Sequence, residues 1–139
     1  MRFNRAIVFV ALFFASLSVA HGTMAQQASE NPDVSILSET RGYDFGTYVT
    51  GALNAIRTKW YSSMPEAARI GTKGRVSVGI AISRDGAVRD AWLAETSGSD
   101  SLDQAALAAV QASNPLRALP ADFTGDRLVL RVRFSYNLK

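Results

Sequence analysis

From Gly74 onward the apolar residues of this chain recur at every second position. Val76, Val78, Ile80 and Ile82 share one side, and Arg75, Ser77, Gly79, Ala81 and Ser83 share the other. Successive side chains leave a strand on opposite sides, so this alternation predicts an extended strand with one buried face. The Asp85-Gly86 pair that follows tolerates positive φ and predicts a tight, two-residue hairpin turn. The return strand, Ala87 to about Glu95, changes phase: Val88 fits one alternation, Ala91 and Leu93 the other. A bulge near Arg89-Asp90 reconciles the two. At the C-terminal end Leu128, Leu130, Val132, Phe134 and Tyr136 predict the inner face of a last strand, Arg127 to Asn137. Its outer face carries Val129, Arg131, Arg133 and Ser135.

Elsewhere the period is helical. Phe45, Val49, Leu53 (or Ala52), Ile56 and Trp60 follow Asp44, which predicts a helix capped by that aspartate and ended before Pro65. A second helix is predicted at Ser101-Leu102-Asp103-Gln104, which has capping-box spacing, with the Ser hydroxyl on a free N–H and Gln104 reaching back. Leu102, Ala106, Ala109 or Val110, and Ser113 line its apolar face, and Asn114-Pro115 ends it. The order α-β-β-α-β predicts an α+β domain, a three-stranded antiparallel or mixed sheet with helices packed on one face. The linking helix has room only if the last strand lies beside the first strand, not beside the return strand. That arrangement predicts the last strand on an edge.

The N-terminal end reads as an export signal. Arg2 and Arg5 precede an uncharged run from Ala6 to Ala20, and small residues offer cleavage after Ala20 or, preferably, after Ala25. The predicted division is a signal peptide over 1–25, a polar linker over 26–42 and a domain over 43–139. An uncleaved signal would instead act as an inner-membrane anchor with the domain in the periplasm. An intact mass starting at Gln26 or at Met1 separates the two.

The residue inventory narrows the chemistry. The chain has no cysteine, and its one histidine, His21, lies beside the expected cleavage site. Thiolate nucleophiles, cysteine-ligated metals and a Ser-His-Asp triad are therefore not expected. Carboxylates remain, but Asp85, Asp90, Asp100 and Asp103 fall at turns and a helix start, where acidic residues serve local structure. Without Arg2 and Arg5 the formal charge of +3 falls to +1, with no basic stripe interleaved with aromatics. The expected protein is no enzyme, carries no metal or small-molecule cofactor and binds no nucleic acid.

Several segments in order resemble the C-terminal domain shared by TonB and TolA proteins. These are Pro65-Glu66-Ala67-Ala68, Gly74-Arg75-Val76, Asp85-Gly86-Ala87-Val88, Ser97-Gly98 and Leu102-Asp103-Gln104-Ala105-Ala106-Leu107. The resemblance runs from about Tyr43 to Asn137. Met64-Pro65 stands where TonB-type domains commonly have Tyr-Pro, and the early helix and the stretch from Asn114 to Pro120 look closer to TolA. The resemblance implies a periplasmic interaction module that captures an extended segment of an outer-membrane transporter or periplasmic envelope protein as an added strand. On the expected edge strand the partner-contacting residues would be Val129, Arg131, Arg133, Ser135 and Asn137. A membrane-anchored energy transducer is the alternative. Against it stand the 17 residues between Ala25 and Tyr43, which reach at most ~60 Å fully extended.

Overall fold

The computed structural model describes residues 31–138, and the expected signal peptide lies outside the described residues. The strands are β1 (Asp33–Ile36), β2 (Gly74–Ser83), β3 (Val88–Glu95) and β4 (Arg127–Tyr136). The helices are α1 (Gly46–Ser62), α2 (Glu66–Arg69) and α3 (Asp100–Ala112). They form an α+β domain on a four-stranded sheet ordered β1-β4-β2-β3, with every neighbouring pair antiparallel.

The alternation in β2 and β4 does what a period of two requires. Val76, Val78, Ile80, Ile82, Leu128, Leu130, Val132 and Phe134 are all fully buried beneath the helices. Burying each contributes roughly 1.5–3 kcal/mol. From α1 come Tyr48, Ala52, Leu53, Ile56 and Trp60, and from α3 Leu102, Ala106, Ala109 and Val110. The alanines of α3 let its backbone lie close to the sheet. At one end of the core the Trp60 ring lies 5.1 Å from Phe134 and 5.2 Å from Tyr136. Its indole N–H donates to the Tyr136 hydroxyl at 2.7 Å, which donates in turn to the Leu102 carbonyl at 3.1 Å. One buried chain of hydrogen bonds thus ties α1, β4 and α3 together.

Four expectations need correction. The 26–42 segment is not all linker, because Asp33–Ile36 forms β1 on β4. The sheet therefore has four strands, and β4 is not an edge. The β2–β3 connection is longer than two residues: Arg84-Asp85-Gly86 joins Ser83 to Ala87, whose carbonyl accepts the Ser83 N–H at 3.0 Å. Only Gly86 there has positive φ, at 90°, whereas a two-residue type I′ turn needs two such residues in a row. The predicted bulge is present, with Arg89 unpaired between Asp90 opposite Ala81 and Val88 opposite Ile82.

The fourth correction concerns the start of α3. Ser101 is exposed and caps nothing; the helix begins after Ser99, without a side-chain bond from that residue. Gly98, at φ 90°, turns the chain so that Thr96 and Ser97 fold back over the helix start. There the buried Asp103, not Gln104, reaches back. It accepts the Thr96 hydroxyl, the Ser97 N–H at 2.9 Å and the Ser97 hydroxyl at 2.7 Å. Burial alone would raise the Asp103 pKa, but the bonds from Thr96 and Ser97 outweigh it and hold the carboxyl below its ordinary value. A depressed carboxylate pKa gives stability that is present above the unfolded value of about 3.9 and lost as pH falls through the folded one. Asp103→Asn should therefore cost about 2 kcal/mol at pH 7, the scale of hydrogen bonds to a charged group. Thermal unfolding at two pH values checks this. The gap to wild type should narrow by pH 3, and an equal gap at both would mean that the charge is not the cause.

Candidate partner-binding edge

Strand addition needs a row of backbone N–H and C=O groups without partners in the sheet. β4 has two edges. One is fully used by β2, in a register running from Gly74 opposite Tyr136 to Ser83 opposite Arg127. The other pairs with β1 from Asp33 opposite Arg133 to Ile36 opposite Leu130. Beyond β1 the flanking residues continue the cover. Leu37 N–H donates to the Val129 carbonyl at 2.8 Å, and Val129 N–H donates to the Ser38 hydroxyl oxygen at 2.9 Å. At the other end the Asn31 side-chain amide imitates a strand residue, donating to the Ser135 carbonyl at 2.8 Å and accepting the Ser135 N–H at 3.0 Å. Residues 31–38 thus dress β4 from Val129 to Ser135.

Of the residues expected to meet a partner, Val129, Arg131, Arg133 and Ser135 do lie together, half-buried or exposed on the sheet face away from the core. Arg133 pairs with Asp33 at 3.1 Å and Arg131 with Glu95 at 3.8 Å, both partly solvated. Glu95 also accepts the hydroxyl of Ser77, which is fully buried in β2. Asn137 does not belong to this set. It sits past the end of β4 at φ 56°, and its amide donates to the Ala68 and Thr72 carbonyls at 2.9 and 2.8 Å. Its role is to hold α2 against the strand end.

The same face carries a residue that the sequence reading passed over. Trp92 of β3 stands opposite Gly79, and a Cβ at Gly79 would lie 2.2 Å from the indole ring. The signal available was the glycine in mid-strand, which marks a close approach. Trp92 is 38% exposed and Leu93, on the opposite side of β3, also 38%. The outer edge of β3 has no ladder partner among the described residues. It is blunted by register shifts between Ala81 and Ile82 and between Ser77 and Val78, and by Arg89, Asp90 and Glu95.

The carboxylates are dispersed. Asp85 serves its own turn, bonded by the Ser83 hydroxyl and the Ala87 N–H, and those bonds lower its pKa. Asp90 and Asp100 are exposed and Asp103 is enclosed by hydroxyl and amide donors. Among the described residues no group of three His, Cys, Asp or Glu could hold a metal ion, and no helix is long and apolar enough to cross a membrane.

The family model for the Gram-negative bacterial TonB protein C-terminal matches residues 64–138. A solution structure of the Helicobacter pylori TonB C-terminal domain, its residues 179–285, is similar at 28% identity and a TM-score of 0.54. The match covers 73% of this chain and 94% of that one. A shorter piece of the same domain, residues 194–285, matches at 30% identity and a TM-score of 0.48, over 63% of this chain and 95% of that one. No curated protein matches.

Proposed function

Because this chain belongs to the family of Gram-negative bacterial TonB C-terminal domains, we propose that it works in the periplasm by taking up an extended segment of an outer-membrane transporter, or of another envelope protein, as a strand on the side of β4 that β1 covers in this structure. The family is one of protein-interaction modules in envelope transport. One observation carries the finer reading: this side of β4 already holds an extended antiparallel segment, the chain's own β1, over four consecutive residue pairs from Asp33–Arg133 to Ile36–Leu130. Backbone groups then supply affinity whatever the partner's sequence, while side chains at alternate positions supply selectivity. Arg131 and Arg133 stand beside the edge and favour an acidic residue in the incoming segment.

Reversing both charges, Arg131→Glu with Arg133→Glu, should weaken such a partner about tenfold. The same double variant should cost no more than about 2 kcal/mol of stability, because each arginine is only in a partly solvated ion pair worth up to about 1 kcal/mol. The measurement is a titration of wild type and variant with synthetic peptides from the N-terminal segments of the host's outer-membrane transporters, followed by the β4 amide resonances. Equal affinity for both proteins would remove the arginines from the site. Absence of any saturable shift in the β4 amides would remove the reading itself.

A further inference from the structure

We infer that residues 31–38 are a built-in competitor for the partner's seat on β4, and that their side chains give the pattern the partner carries. This inference rests on the reading of β4 as the acceptor edge.

The segment is held as an exchangeable strand would be. Its ladder is four residues long, against ten in the β2–β4 ladder. At one end the Asn31 side chain makes both bonds to Ser135, and at the other the Ser38 hydroxyl takes the Val129 N–H beside a single backbone bond from Leu37 to the Val129 carbonyl. Apolar anchoring is limited: Pro32 is buried and Val34 packs against the core, but Ile36 is 37% and Leu37 55% exposed. No helix or strand follows Ile36 until Gly46, so the segment has slack to leave while α1 stays in place. The fully buried side chains of the hydrophobic cluster all come from Phe45 onward, and the segment adds only Pro32 and Val34 at its margin and one bond from Arg57 to the Asn31 carbonyl at 3.4 Å. Losing β1 therefore exposes β4's edge and uncovers the core only at that margin.

The occupant also defines its replacement. On the outer face Asp33 meets Arg133 at 3.1 Å and Ser35 stands opposite Arg131. On the inner face Val34 lies opposite Val132 and Ile36 opposite Leu130. A competing partner is thus an extended protein segment, antiparallel to β4, reading acidic, aliphatic, small, aliphatic.

The register supplies a test. Leu37 and Val129 form a hydrogen-bonded pair, so Val34 and Val132, an odd number of steps away, form a non-hydrogen-bonded one. Side chains in such pairs are closest, with Cα atoms about 4.5 Å apart, inside the disulfide range. The chain has no cysteine of its own. In the full chain, Val34→Cys with Val132→Cys therefore makes a redox lock that leaves Asp33, Arg131 and Arg133 intact. The probe is a fluorescent peptide with the sequence of residues 31–38, added in trans.

Apparent affinity falls with the fraction of molecules whose seat is open. Wild type and the reduced lock should bind the probe weakly, the oxidised lock should not bind, and Asn31→Ala with Asp33→Ala should bind at least tenfold more tightly. Equal binding by oxidised and reduced forms overturns the inference, as does no gain in the double alanine variant. Should the cysteine pair fail to fold, amide exchange of the double alanine variant decides. Arg131 and Arg133 amides should exchange at least tenfold faster while Val78 is unchanged, and unchanged exchange at the arginines overturns the inference. Transporter peptides that bind locked and unlocked forms alike would sink the competition but leave a binding module. Exchange of the probe with no transporter binding would support the competition and sink the proposed function.

Discussion

Gly86→Ala is expected to destabilise the domain by about 3 kcal/mol or more, through two costs that add. Gly86 sits at φ 90°, where a side chain is strained by about 1–2 kcal/mol. A Cβ there would also lie 2.2 Å from the Leu116 carbonyl oxygen and 2.6 Å from that of Arg117. These are backbone atoms, so relief requires moving the hairpin tip away from the 115–120 loop. The movement would strain the bonds from Leu116 N–H to the Gly86 carbonyl and from Leu119 N–H to the Arg84 carbonyl, both 2.9 Å. It would also disturb the Arg84 guanidinium, which donates to the carbonyls of Phe123, Gly125 and Pro120. Gly98→Ala is the control, since Gly98 has the same φ of 90° but nothing within 4 Å of a Cβ. Denaturant unfolding should rank Gly86→Ala well below Gly98→Ala. Equal losses would mean that the loop contact contributes nothing.

Trp60→Ala should cost about 3–5 kcal/mol, the usual range for emptying a buried aromatic site. The ring is 2% exposed, packs on Phe134 and Tyr136, and holds the Tyr136 hydroxyl in its bonded chain to Leu102. Trp60→Phe keeps a six-membered ring in the core but loses the N–H and about a third of the indole, so its cost should be smaller, about 1–3 kcal/mol. Burial raises the Tyr136 pKa, the Trp60 bond opposes that rise, and the Asp103 charge adds to it. A phenol favoured in its neutral form gives stability that is complete below the unfolded value of about 10 and lost as pH rises through the folded one. Thermal melts across pH 8–11 should show wild type weakening at the alkaline end. A Trp60→Ala melt within a few degrees of wild type at neutral pH would mean that α1 does not close this end of the core.

The two variants probe parts of the fold that differed in how plainly the sequence announced them. Trp60 lies on a helical stripe with Ile56 and Leu53, and a stripe repeated over four turns leaves one reading. The same holds for Val76 to Ile82 and Leu128 to Tyr136. The bulge at Arg89 was legible too, because a phase change between Val88 and Ala91 cannot be satisfied in a regular ladder. The start of α3 was only half legible: a helix start near Ser101 was visible, but the turn at Gly98 gave the part expected of Gln104 to Asp103.

For the candidate site the sequence by itself determined the face and not the edge. Alternation put Arg131 and Arg133 outside and Val132 inside, since side-chain direction along a strand follows from the backbone alone. Whether β4 lies at the margin of the sheet depends on what pairs with it from elsewhere, and its cover comes from Asn31 to Ser38, about a hundred residues earlier. A strand of four residues carries too few side chains to show a period, and Asp33-Val34-Ser35-Ile36 reads equally well as linker. Its place was decided only in the tertiary structure, because the backbone groups that hold it are the same in every residue and leave no mark on composition.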